Sequence, residues 1–194
     1  MAELKGVLLN SWMKYLQKRF SEQQVSAHIE LLSPGDRHLF STKFLDATWY
    51  PLETFGALRR LVRSLAPRID PEMLIELGRF TAENAYTGVY RSLVANDPSK
   101  TVERFAWAED LFFRGFRKLE SQLTGPASCV LRYKYDGGFK PTRGMCTSLI
   151  GFWSQLLEMS GASGVEGSHQ VCQAAGADKC EFEFNWSKAA AKGK

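Results

Sequence analysis

Cys146, His169, Cys172 and Cys180 carry the chemistry best suited to a site in this chain. They include three of its four cysteines and one of its three histidines. Three thiolates and an imidazole suit a tetrahedral zinc ion. The segment between the last two thiols, residues 173–179, reads as a hairpin turn around Gly176 and brings Cys172 toward Cys180. On an extended strand, side chains three apart point to opposite faces. His169 and Cys172 therefore reach one ion only through a bend or bulge. Two other readings stand beside the metal. Free cysteine is among the most buried residue types, so core thiols are the plain alternative. A Cys172–Cys180 disulfide is the third, and it depends on an oxidising compartment.

The elements that must position these residues follow from periodicity. From Ser128 the sequence CVLRYKY alternates as a half-buried strand, and Asp136-Gly137-Gly138 turns the chain. Thr142 to Met159 is a predicted helix with Cys146, Leu149, Trp153, Leu156 and Leu157 inward. Two strands follow, the second with Phe182 and Phe184 on one face and Glu181 and Glu183 on the other.

The N-terminal two-thirds reads as helices. Residues 4–10 suit a short strand or a first helical turn, and Ser11 is placed to cap a helix carrying Trp12, Tyr15, Leu16 and Phe20. Ser21 starts another helix, Pro51 opens one that Pro67 stops, and Asp70-Pro71 starts the next, which Gly78 and Gly88 interrupt. Residues 102–119 are predicted as an aromatic helix covered on both sides, running up to Gly125-Pro126. Arg59, Arg60 and Arg63 read as the wet side of a helix, with a phosphate or partner site as the sharper alternative. The expected architecture is α+β, with the helical part packed on a small antiparallel sheet formed largely by the C-terminal strand-helix-strand-strand unit.

From about Ser128 to Trp186 the chain resembles the 4-vinyl-reductase-type small-ligand-binding domain. That family is related to Bet-family TRAPP subunits and to phenol-sensor domains. The resemblance rests on a helix, a strand with a polar residue and Cys172, a glycine turn, then Cys-x-Phe at Cys180 to Phe182. The phenol sensors hold zinc through three Cys and one Glu, and His169 falls where that Glu would be. The resemblance implies a structural zinc on Cys146, His169, Cys172 and Cys180, an apolar pocket between sheet and helices, and pairing into a homodimer. A softer likeness, to an uncharacterised family expanded in myxobacteria, rests on KG-x-LLNS at Lys5 to Ser11, on Trp49-Tyr50-Pro51 and on the C-terminal cysteines. The heme–nitric-oxide sensor fold shares the outline as well.

Composition limits the function classes. The 194 residues, 44% hydrophobic with a formal charge of +4, suit one domain over 1–187 and a flexible basic tail over 188–194. No basic stripe or reading motif points to nucleic acid. No secretory signal and no run of about 20 apolar residues is present, which predicts a cytoplasmic location without membrane contact. GxSxG, P-loop, GxGxxG and HExxH motifs are absent, so a non-enzyme is expected. The resulting expectation is a sensory or regulatory domain that binds a hydrophobic small molecule. The alternatives are a protein–protein scaffold and, more remotely, a heme-based sensor using His28, His38 or a cysteine. His28, Tyr86, Tyr90 and Trp107 are the candidate pocket anchors by chemistry alone.

Overall fold

A computed structural model of the chain describes residues 1–68, 70–88 and 90–188. The chain begins with strand β1 (Glu3–Lys5), followed by α1 (Gly6–Phe20), α2 (Glu22–Glu30), α3 (Pro34–Leu39), β2 (Trp49–Pro51), α4 (Leu52–Leu65), α5 (Pro71–Tyr86) and α6 (Pro98–Ala108). Strands β3 (Phe113–Arg114), β4 (Arg117–Gly125) and β5 (Ser128–Tyr135) lead to α7 (Arg143–Met159), and β6 (Ala162–Val171) and β7 (Cys180–Lys188) close it. The α+β class and the C-terminal β-α-β-β unit are as expected.

Several starts follow local chemistry. Asp70, Asp97 and Thr142 each accept the N–H three residues on, which satisfies a donor the helix start leaves free. Pro71 and Pro98 sit in the first turn, where a missing N–H costs nothing. Ser11 does not cap. It lies inside α1, fully buried, and its hydroxyl donates to Val7 O at 2.7 Å. Gly78 does not interrupt α5 either.

The sheets are two. β2-β1-β3 is a small antiparallel sheet of its own, so the early strand does not join the main one. The main sheet has the order β4-β5-β7-β6, antiparallel throughout. The predicted helix over 102–119 ends at Ala108. Strand β3 follows, and Gly115, at φ +72°, turns the chain from β3 into β4. Trp107, expected to be covered, is 64% exposed. Lys188 is the last residue of β7, and the rest of the expected basic tail, 189–194, lies outside the described residues.

Two apolar clusters form the interior. One joins α5, α6 and α7 to the main sheet through residues such as Tyr86, Phe105, Trp153, Tyr133 and Phe182. The other joins α1, α2, α4 and the start of α5 through Leu9, Leu16, Leu58, Leu61 and Leu77. α5 and α7 cross backbone to backbone. A Cβ at Gly78 would stand 1.9 Å from Ser148 O, and one at Gly151 would stand 2.0 Å from Ile75 O. No described helix is long and apolar enough to cross a membrane.

Candidate functional site

The four predicted ligands come together. Cys146 lies in the first turns of α7, facing the sheet. Cys180 opens β7 opposite Tyr133 of β5. The turn through Gly176, at φ 97°, returns the chain from Cys172 to it. The bend that His169 and Cys172 need is present, as a register shift in β6 between His169 and Val171. One donor atom from each of the four residues lies within 4.8 Å of the others. No disulfide joins them. The Cys146 thiol donates to Cys180 Sγ at 3.6 Å, and the Gln173 N–H donates to the same sulfur at 3.3 Å. The bond from Cys146 is the main reason Cys180 is drawn well below the usual thiol value, with the Gln173 N–H and His169 adding to it. The same bond, with burial, pushes Cys146 up. The His169 ring stacks on Phe182, centroids 4.5 Å apart, and its Nε2 is buried with no hydrogen-bond partner.

A polar network runs beside this cluster. Trp153 Nε1 donates to the Tyr133 hydroxyl at 2.8 Å, both residues being buried. Glu109 and Arg117 form a buried ion pair, and the Arg117 guanidinium stands 3.3 Å over the Phe113 ring. Burial pushes the Glu109 carboxyl up against the pull of Arg117, while Glu109 keeps the guanidinium cationic despite its burial. The Tyr135 hydroxyl is buried without a partner.

Next to the network is an apolar cavity of about 80 Å³. Leu4, Leu8, Phe55, Phe113, Leu149 and Phe152 supply most of its wall, and Arg117, Thr81 and Ser148 its polar groups. None of the four anchors suggested by chemistry lines it. Tyr86 is 1% exposed and sits in the core, where it packs edge-on against Phe105 and Phe112, with Tyr90 beside it at 6.5 Å. His28 is on α2, bonded through Nδ1 to the Ser64 hydroxyl at 2.7 Å. Sequence reasoning missed Arg117, because it fell inside the supposed aromatic helix.

No protein-family model matches the chain, and no curated protein sequence matches it. Solved structures do. An H-NOX protein from S. oneidensis in the Fe(II) ligation state, a triple mutant, aligns with TM-score 0.73 at 15% identity over 98% of this chain and 100% of that one. The Fe(II)NO state of an H-NOX protein from the same organism aligns with TM-score 0.72 at 15% identity over 95% and 100%. A structure described as modulating heme redox potential through protein-induced porphyrin distortion aligns with TM-score 0.66 at 11% identity over 94% and 99%. At these identities the likeness establishes the fold.

These findings correct two expectations. The resemblance to a 4-vinyl-reductase or TRAPP-type domain is not upheld, since the neighbours that span the whole chain are H-NOX structures. The structural zinc that came with it is corrected as well, because the neighbours' descriptions name Fe(II), NO and heme.

Heme, the group this fold implies, does not fit the residues present. The three histidines lie on α2, α3 and β6, and none lines the cavity, whose one soft donor is Met145. Heme iron is ordinarily held by His, Cys, Tyr or a Met/His pair. A volume of about 80 Å³ is also well below the roughly 300–1,000 Å³ of a drug-sized pocket. Tyr86, Phe105, Phe112, Phe152 and Trp153 pack edge-on against one another in the adjoining core.

Proposed function

We propose that this chain is a non-catalytic sensory or regulatory domain on the H-NOX fold that works without heme. It takes a small apolar molecule into the cavity enclosed by α1, α4, α5, α7 and the small sheet and reports its occupancy to a protein partner. The observation that carries this is the cavity's wall: aliphatic and aromatic, with a few fixed polar groups and no axial ligand of the usual kind. Its size suits an occupant of a few heavy atoms, since an engineered apolar cavity of about 150 Å³ holds benzene or xenon. The heme-sensor reading is favoured by the fold likeness alone.

The four donors Cys146, His169, Cys172 and Cys180 are a second, separate site, one ligand set able to close on a single metal ion. Their mutual distances and the unpartnered His169 Nε2 support this.

Methyl NMR under xenon pressure tests the cavity, with hemin titration of the same full chain beside it. Xenon is expected to shift the methyls of Leu8, Met145 and Leu149, and hemin to give no stoichiometric Soret band. A one-to-one Soret band from coordinated iron would overturn the heme-free reading. Unmoved methyls would overturn the cavity.

A further inference from the structure

A second cavity, of about 270 Å³, opens where α1, α4, α5 and the start of α7 meet. One side is apolar: Trp12, Val62, Leu74 and Met145. The other presents Arg59 and Arg63, four apart and therefore on one face of α4. Neither arginine forms an ion pair among the described residues, whereas the intervening Arg60 is engaged by Asp36 at 2.5–2.6 Å. Two unpaired cations thus face one partly apolar space. Burial, then the charges of Arg63 and Arg60, push the Arg59 guanidinium below its usual value, a strain that an incoming anion relieves. The floor is the start of α7, where the Thr142 hydroxyl takes only the Met145 N–H. Gly144 keeps that floor low, for a Cβ there would come 3.3 Å from Leu74 Cδ1.

We infer that this cavity binds an amphiphilic organic anion, its carboxylate or phosphate head between Arg59 and Arg63 and its apolar body against Trp12, Val62, Leu74 and Met145. Guanidinium is the side chain suited to such heads, because its planar fork pairs with two oxygens at once. The site shares Trp12 and Met145 with the wall of the first cavity but uses different polar groups, so it stands or falls independently.

The test is calorimetric titration of the full chain with octanoate, octanol and inorganic phosphate. Octanoate is expected to bind at one per chain, at least about tenfold more tightly than octanol or phosphate. Arg63→Gln is expected to weaken octanoate by about tenfold, the worth of one charge-assisted bond. Arg60→Lys, outside the cavity and keeping the charge that faces Asp36, should leave it unchanged. Gly144→Val should block it without altering charge. Arg63 is exposed on the surface of α4, so its variant is expected to keep the parent's circular dichroism. Octanol binding as tightly as octanoate, phosphate alone binding as tightly, or an Arg63→Gln titration matching the parent would each overturn the inference.

Discussion

Adding one methyl group at Gly78 and one at Gly56 should move stability in opposite directions. Both residues lie inside helices, α5 and α4, so both gain up to about 1 kcal/mol of helix propensity as alanine. At Gly56 nothing opposes the gain, because the nearest atom to the new Cβ is the mobile end of Arg60 at 3.5 Å. At Gly78 the methyl meets Ser148 O at 1.9 Å and Phe152 N at 2.7 Å, which are backbone atoms of α7. The two helices must then part by more than roughly 1 Å along the crossing, and overpacking of this kind costs about 1–3 kcal/mol or more. The offending atoms belong to a rigid backbone, so the upper end applies and the net loss is about 2 kcal/mol. For a chain of this size each kcal/mol shifts Tm by about 2–4 °C. Gly78→Ala is therefore expected to melt about 4–8 °C below the parent, and Gly56→Ala a few degrees above it. Thermal and urea unfolding followed by circular dichroism measure both. A Gly78→Ala protein as stable as the parent, or two variants shifting in the same direction, would refute the backbone-contact argument.

Three further outcomes are expected. Tyr133→Phe strands the buried Trp153 N–H and should lower unfolding free energy by about 1–3 kcal/mol, read from urea midpoints at an unchanged slope. Arg60 holds the Asp36 carboxyl below its usual value, so the pair's contribution is present above about pH 4 and is lost as pH falls through that lowered value. The pair is at the surface, so Asp36→Asn should cost under about 1 kcal/mol at neutral pH, and a pH series should show the gap from the parent closing in acid. Cobalt(II) titration of the reduced chain should give thiolate-to-cobalt absorption saturating at one ion. The same titration of Cys180→Ser should lose most of that absorption, and an unchanged spectrum would count against a shared ligand set.

Much of the architecture was legible because the chemistry that marks it is local. Asp70 and Thr142 announce helix starts by their side chains, and Phe182 and Phe184 alternate with glutamates as a one-sided strand requires. The cysteine–histidine cluster was legible for the same reason, down to the bulge its spacing demands. The region from Glu109 to Gly125 was misread because Phe112, Phe116 and Leu119 fall at spacings of four and three. Those spacings suit a helix, yet here the three residues straddle a turn and a strand. Two signals pointed the other way: Gly115, and the alternation around Leu119, buried between exposed Lys118 and Glu120. An apolar pocket was expected only from a resemblance that did not hold, and its wall could not be read from periodicity. Its wall draws on β1, α1, α4, α5, β3, β4 and α7, which only the tertiary fold brings together.

The glycine-mediated crossing of α5 and α7 also bears on how the chain is made. The helices α1, α2 and α4 can gather around the first turns of α5 as soon as these are synthesised, since beyond α5 their shared cluster takes only Phe113 at its edge. The glycine face of α5 has to wait for α7, whose last residue is Met159. At 5–20 residues per second, the interval between completing α5 and completing α7 is about 4–15 s. Throughout it the emerging protein holds out an apolar, backbone-baring groove to whatever is nearby. That interval is when a chaperone would have most to cover.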